Sequence, residues 1–427
     1  MSTSVSPSPS LSLSAPPSLL RFHENPGSRR LAALLALLAC TAATARPALA
    51  DPAITFEPSA YAHVDARVFV DDEDDDYNST LLLRRVRPSL RAKFLDHYSF
   101  RGLLDVAGGT LQVLDVYLDV AHIPEATLRI GKTKSPVGLE RLQSATSLVF
   151  IERAFPTSLV PNRDIGVQVI GDVSKGLFTY SVGGFNGVSD GASLDQNDDG
   201  NFELVARVFS HPFAASDNPY LRGLGLGVAG SVGDREGSTA SPGVSSYRTS
   251  GGLRFFQYVP GNATTPGVVA DGRQARVSAQ GYYYGGPVGL LGEYVLSQQT
   301  LALGDVSARV ANQAWQLTGS FVLTGESPSY KGLTPALPFD PAAGQWGAVE
   351  VAGRYTELTV DDDVFARGLS DQDVNARKAR AWAAGANWYL NQHVKLQVNF
   401  EQTRFRYQGN GGRPAENVIL VRTQLSI

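Results

Sequence analysis

The 427-residue chain contains one cysteine and one methionine, and it has no stretch of roughly 20 apolar residues that could cross a membrane as a helix. The cysteine, Cys40, falls within the first fifty residues. If those are removed, the remainder can form no disulfide and must rely on burial and hydrogen bonding. A strong charge of either sign is also missing, since 37 basic and 41 acidic residues leave −4. That balance argues against a nucleic-acid partner. Histidines are few, and His63, His97, His122, His211 and His393 show no ligand spacing, so neither a metal site nor a cofactor is expected.

The N-terminal segment has its own pattern. A basic Arg29-Arg30 pair, an apolar run from Leu31 to Ala39 and the small-residue triplet Ala48-Leu49-Ala50 stand in that order before Asp51. This is the layout of a secretory signal, placing a signal peptide at 1–50. A rival site, Leu38-Ala39-Cys40, would leave a lipidated Cys40, but Leu38 is bulky where a small residue is usual. Residues 51–427 carry 33 basic and 40 acidic groups, about −7. No linker or low-complexity divider splits them, and one large closed sheet fits them better than one soluble core.

What the chain has in abundance is alternation. In the last segment Ile419, Val421, Thr423, Leu425 and Ile427 share one face, and Leu420, Arg422, Gln424 and Ser426 share the other. Leu396, Val398 and Phe400 alternate in the same way with Lys395, Gln397, Asn399 and Glu401. Segments of about ten residues with this period are strands whose faces meet different solvents. Strands are expected near 59–70, 81–95, 98–107, 112–121, 126–133, 163–172, 177–186, 202–211, 222–233, 273–285, 288–298, 312–324, 346–359, 380–390, 394–406 and 416–427.

That is sixteen, an even number, as in bacterial outer-membrane barrels with short periplasmic turns and longer external loops. Short turns such as 95–97, 174–176, 285–287 and 391–393 fall on one side. The Gly-, Asp- and Ser-rich connections fall mainly on the other, with the short connection 108–111 and the long connection 325–345 as exceptions. Tyr and Trp near strand ends, such as Trp382, Trp388, Tyr389 and Tyr407, suit interfacial girdles. The expected fold is all-β, a 16-stranded antiparallel transmembrane β-barrel in the outer membrane, in contact with its lipid.

Within the second strand Arg85, Arg87, Arg91 and Lys93 share a face opposite Val86, Pro88, Leu90, Ala92 and Phe94. A charge facing lipid near the midplane costs roughly 2–4 kcal/mol, so this row is assigned to the lumen. Two readings stay open. With Arg101, Asp105, Asp115, Tyr117 and Asp119 on the polar faces of neighbouring strands, the row would either belong to a wall of cross-strand ion pairs or pass oxyanions along bidentate guanidinium groups.

The stretch from Arg129 through Gly131, Lys132, Lys134, Pro136 and Gly138 to Glu140, followed by Phe150-Ile151-Glu152-Arg153 and Pro161-Asn162-Arg163-Asp164, resembles the family of phosphate-selective porins O and P. Blocks at Ala270 to Arg273, Gly281 to Tyr284, Gly289 to Tyr294 and Asn387 to Asn391 are similar to that family as well. The resemblance implies a homotrimer of sixteen-stranded barrels whose third external loop, here 134–162, folds inward and narrows the pore. From Arg129 to Arg163 that region holds Arg129, Lys132, Lys134, Arg141, Arg153 and Arg163 against Glu140 and Glu152. A net basic eyelet is expected, with Glu140 and Glu152 anchoring the loop. The alternative is that these two carboxylates neutralise Arg141 and Arg153.

Two further motifs carry less. Asp195 to Asn201 resembles the start of a calcium loop, but Ala206 stands where a bidentate Glu would be needed. Gly225, Gly227 and Gly230 match a dinucleotide fingerprint at strand period with no following helix. The expected function is therefore passive diffusion of small anions, with phosphate and polyphosphate as candidates, and no catalysis. Rival readings are a non-selective porin, a barrel enzyme such as a lipase or protease, a structural barrel without an open channel, and a soluble exported β-sandwich.

Overall fold

Alternation at period two produces strands, and the computed structural model describes residues 54–70, 78–123, 125–174 and 176–427. The expected signal segment, Cys40 and the acidic run at 71–76 lie outside the described residues. Sixteen strands form one sheet: β1 (Ile54–Val70), β2 (Thr80–Phe94), β3 (Tyr98–Asp105), β4 (Gln112–Ile123), β5 (Ala126–Lys134), β6 (Arg163–Val173), β7 (Phe178–Phe185), β8 (Glu203–Ser210), β9 (Leu224–Glu236), β10 (Val269–Gly285), β11 (Val288–Leu303), β12 (Val306–Val322), β13 (Ala348–Thr359), β14 (Lys378–Tyr389), β15 (Val394–Arg406) and β16 (Glu416–Ser426). Each pairs antiparallel with its sequence neighbours, and β16 pairs back onto β1 from Tyr61–Ser426 to Val70–Asn417. The sheet is thus closed, leaving no edge whose backbone groups would go unpaired in hydrocarbon. At the seam Arg422 stands opposite Asp65 and binds it bidentately at 2.7 and 2.6 Å.

The two faces are inverted relative to a soluble protein. Apolar side chains such as Val64, Leu83, Leu90, Phe100, Ile130, Val167, Leu290, Leu317 and Val398 are exposed, whereas Gln280, Glu293, Gln316, Asn387, Asn399 and Arg422 are buried. An apolar outer belt around a polar interior is what a barrel needs in lipid. Short turns close one end, at 95–97, 286–287 and 390–393, and most of the long connections lie at the other, which is thereby the extracellular end.

The strand count matches the expectation, but β10, β11 and β12 reach further at their extracellular ends. Residues 299–311, expected to be an external loop, are strand apart from a two-residue turn at 304–305. The reason is a reversal of polarity above the membrane. Leu301, Ala308 and Val310 point inward and are buried against Tyr247, Phe255, Phe256 and Tyr258 of the 237–268 connection and Val364, Phe365 and Leu369 of the 360–377 connection. Outward positions there, such as Ser307 and Arg309, are exposed. A wall standing clear of lipid has no call for an apolar outer face, so the alternation that marks the lower barrel inverts.

Candidate functional site

The connection between β5 and β6, residues 135–162, is held by partners distributed around the sheet. Glu293 on β11 accepts from the Leu139 and Glu140 amides at 2.6 and 3.2 Å. Lys395 on β15 donates to the Thr146 and Leu148 carbonyls at 3.0 and 3.1 Å. Asn399 accepts from the Ile151 amide at 2.8 Å, Arg422 donates to the Ile151 carbonyl at 2.7 Å, and Arg354 donates to the Glu152 carbonyl at 2.8 Å. Every one of these partners belongs to the buried polar face. A segment without regular pairing thus has its backbone groups satisfied by long polar side chains, as the interior requires.

Between this segment and strands β1 to β6 lies a cavity of about 450 Å³. Nine cations line it: Arg84, Arg85, Arg87, Arg101, Arg129, Lys134, Arg141, Arg153 and Arg163, with Asp115 as the one lining carboxylate. A second cavity of about 410 Å³ is lined by Arg67, Glu152, Arg248 and Glu401 among others, and it shares Arg84, Arg85, Arg141 and Arg153 with the first. Those four arginines, two from β2 and two from the connecting segment, stand where the cavities meet.

Part of this charge is neutralised locally. Arg87 binds Asp105 at 2.7 Å and donates to the Tyr61 hydroxyl at 2.8 Å. Arg129 grips Asp119 at 2.7 and 2.9 Å and lies 3.9 Å above the Tyr117 ring, and Arg163 binds Asp115 at 2.8 Å. Gly131 gives this layer its room: at φ 128° its backbone is one glycine tolerates, and a Cβ there would meet the Val116 carbonyl at 2.2 Å.

Arg84 and Arg85 share Glu152, and the other four cations have no ion pair among the described residues. Lys134 donates to the Leu142 and Gln143 carbonyls at 3.1 and 2.9 Å, and Arg153 to the Glu140 and Gln143 carbonyls at 3.0 and 2.8 Å. Arg141 donates to the Thr157 carbonyl. Arg101 has no ion pair among the described residues, and its Nε is buried without a partner. Against nine cations, the carboxylates in ion-pair contact with them are Asp105, Asp115, Asp119 and Glu152. Burial, with Arg153 and Arg163 close by, pushes the Arg141 guanidinium down to about 9, so it stays charged at neutral pH.

The two loop carboxylates sit among other partners than Arg141 and Arg153. Glu140 accepts from the Ala154 amide at 2.8 Å and from Gln316 at 3.1 Å. Glu152 is bound by Arg84 at 2.6 and 3.2 Å, with Arg85 at 3.6 Å and Arg67 and Arg422 each at 3.7 Å. Burial alone would raise the Glu152 carboxyl, yet the surrounding guanidinium groups hold it well below the usual range.

Of the residues singled out from the sequence, Arg85, Arg87, Lys134, Arg141, Arg153 and Arg163 line the first cavity, and Arg91, Lys93 and Lys132 do not. Arg91 and Lys93 continue the β2 row toward the periplasmic turn, where Lys93 binds Glu57 at 2.6 Å. Lys132 is a correction: it stands opposite Val116 on the apolar outward face and is tied to the Val113 carbonyl at 2.8 Å and to Asp195. The alternation of β5 already shows this, since Lys132 follows Ile130 by two.

Arg84, which the sequence reading did not single out, also faces inward, although strict alternation with Arg85 and Arg87 would turn it to the lipid. A bulge in β2 explains this: His63 pairs with Arg85 and Val64 with Leu83, so Arg84 is the extra residue and the phase of the strand changes there. Arg129, counted in the expected basic region, and Arg101, noted beside the β2 row, line the cavity as well. In the Asp195 loop, Asn197 and Asp199 accept from neighbouring backbone amides, and no group of three metal-ligating side chains is found among the described residues.

A closed sixteen-stranded barrel with an apolar belt and a polar, charged interior defines an outer-membrane porin of the bacterial cell. The family model described as "Phosphate-selective porin O and P" matches residues 59–427, and the chain belongs to this family. Porin O of Pseudomonas aeruginosa is 29% identical over 128 residues, a match spanning 29% of this chain and 28% of that relative's length. Among solved structures, the outer membrane channel DcaP of Acinetobacter baumannii superposes with a TM-score of 0.57 at 12% identity, covering 88% of this chain and 99% of that one. The anion-selective porin from Comamonas acidovorans gives 0.55 at 11% identity, covering 88% and 100%. At such identities the likeness is one of fold.

Proposed function

We propose that the pore conducts small anions by passive diffusion and prefers them to cations, with oxyanions of the phosphate class as the best-fitting solutes. The observation that carries this reading is the excess of cations over carboxylates in the first cavity, where Arg101, Lys134, Arg141 and Arg153 have no carboxylate partner among the described residues. In this reading the 135–162 segment folds into the lumen and narrows it, so that a permeating anion passes between Arg84 and Arg85 on one side and Arg141 and Arg153 on the other. Guanidinium groups offer paired N–H donors that match tetrahedral oxyanions, and each anion is handed on because several sites of similar strength lie in series. The family name and the anion-selective neighbour agree with it.

A general porin is the second reading, favoured by the matched pairs Arg87–Asp105, Arg129–Asp119 and Arg163–Asp115. In either case residues 1–50 are removed on export and the barrel assembles as a homotrimer. Single-channel recording in a planar bilayer under a potassium chloride gradient decides between them. A reversal potential of the sign set by chloride is expected, and one set by potassium would sink the anion reading.

A further inference from the structure

The lipid-facing side of the barrel carries a second basic cluster, at the extracellular ends of β13, β14 and β15. Lys378 stands opposite Arg406 and Arg380 opposite Arg404 across the β14–β15 pair. All four point outward, because their neighbours Ala379, Ala381 and Thr403 are the buried, inward ones. Like charges directly opposite on adjacent strands are unfavourable, and here two such pairs are stacked one above the other. Partners across strands lie about 5 Å apart and successive residues of one face about 7 Å apart, so the four charges mark a small rectangle.

Compensation is incomplete. Glu357 receives both Lys378 and Arg380 at 2.7 Å, whereas Arg404 donates to the neutral Gln402 at 3.0 Å. No carboxylate lies within ion-pair distance of Arg404 or Arg406 among the described residues. On β9 and β10 of the outer wall, by contrast, the exposed Arg273 is matched by Asp234 at 2.8 Å. The cluster borders a groove of about 330 Å³ whose walls include Tyr355 and Trp382.

Just below, toward the membrane centre, Trp382 packs tilted against Phe400 at 5.3 Å and Trp315 against Tyr355 at 5.2 Å between centroids. These exposed rings belong to the level of the membrane interface. The cations therefore sit at headgroup height, with apolar surface beneath them.

We propose that this patch binds the phosphate headgroup of an anionic glycolipid of the outer leaflet, with the sugar phosphate between Arg380, Arg404 and Arg406 and the acyl chains along Trp382 and Phe400. A phosphate monoester carries −1.5 to −2 charges and three acceptor oxygens, which suits two guanidinium groups left without a carboxylate. The site lies on the opposite face of the wall from the pore and acts independently of ion selectivity.

The test is native mass spectrometry of the mature barrel in detergent. The probes are bis-phosphorylated lipid A, the same lipid after enzymatic dephosphorylation, and inorganic phosphate as competitor, each with the wild type and an R404Q/R406Q variant. The wild type should retain the phosphorylated lipid, and both dephosphorylation and the double substitution should weaken retention roughly tenfold, the scale of losing charge-assisted hydrogen bonds. Inorganic phosphate should not displace the lipid, and the variant's single-channel conductance should be unchanged. Equal retention of the dephosphorylated lipid by the wild type overturns the proposal whether or not the variant folds. Displacement by inorganic phosphate would assign the patch to a free ion. Loss of the oligomer with lipid content unchanged would assign it to a second copy of the chain, and either result also overturns the proposal.

Discussion

Glu152 is the residue on which the basic cavity depends most. Its carboxylate faces Arg67, Arg84, Arg85 and Arg422, with a side-chain exposure of only 14%. Removing one partner from a buried charge cluster leaves the other charges uncompensated, so Glu152→Gln should destabilise the barrel by about 3 kcal/mol in a urea titration. The same change should strengthen anion preference in single-channel recordings. Because its folded value is depressed, Glu152 contributes stability that is complete above its ordinary 4.5 and is lost as pH falls below that range. Wild type and Glu152→Gln should therefore differ most near neutrality and converge on acidification.

The β2 row separates in a testable way too. Arg85 lines the cavity and Arg91 does not, so Arg85→Ala should weaken phosphate block of the chloride current severalfold while Arg91→Ala leaves it nearly unchanged. An equal effect of both would mean that the row acts as one ladder along its whole length.

At the scale of elements, sequence periodicity located all sixteen strands, because lipid outside and water inside impose opposite demands on alternate residues. It failed where that contrast ends or slips. The upper parts of β11 and β12 meet the apolar 237–268 connection inside and solvent outside, so their apolar positions, Leu301, Ala308 and Val310, sit on the opposite side from those of the lower barrel. At the β2 bulge one added residue reverses the phase, which hid Arg84. The contacts that hold the 135–162 segment were not legible either, since Lys395, Asn399 and Glu293 lie far along the chain and read simply as lumen-facing polar residues.

These anchors make a prediction of their own. Lys395→Ala combined with Asn399→Ala removes the bonds to the Thr146 and Leu148 carbonyls and the Ile151 amide. If the segment narrows the pore as proposed, loosening it should raise the mean conductance, roughly doubling it where the segment sets the narrowest point, and should add flicker. Heat-modifiable gel migration of the barrel should stay as in the wild type. Unchanged conductance would show that the narrowest point lies elsewhere.

Over the whole molecule, the interior is divided lengthwise. Beside β10 to β14 the upper lumen is filled by the apolar packing around Tyr247, Phe255, Phe256 and Phe365. The first basic cavity lies along β1 to β6, and the second, which also reaches Thr356 on β13 and Glu401 on β15, meets it at four arginines. In the proposed reading an ion follows that basic wall, although the full chain carries −4. Raising salt from 0.1 to 1 M shortens the Debye length from about 10 Å to about 3 Å, which screens charges at the mouths far more than partly buried ones within. Anion preference, read from reversal potentials at a fixed gradient ratio, should therefore decline with salt yet keep its sign at 1 M. Complete loss of preference at 1 M would place the selective charges on the exposed loops instead of at Arg84, Arg85, Arg141 and Arg153.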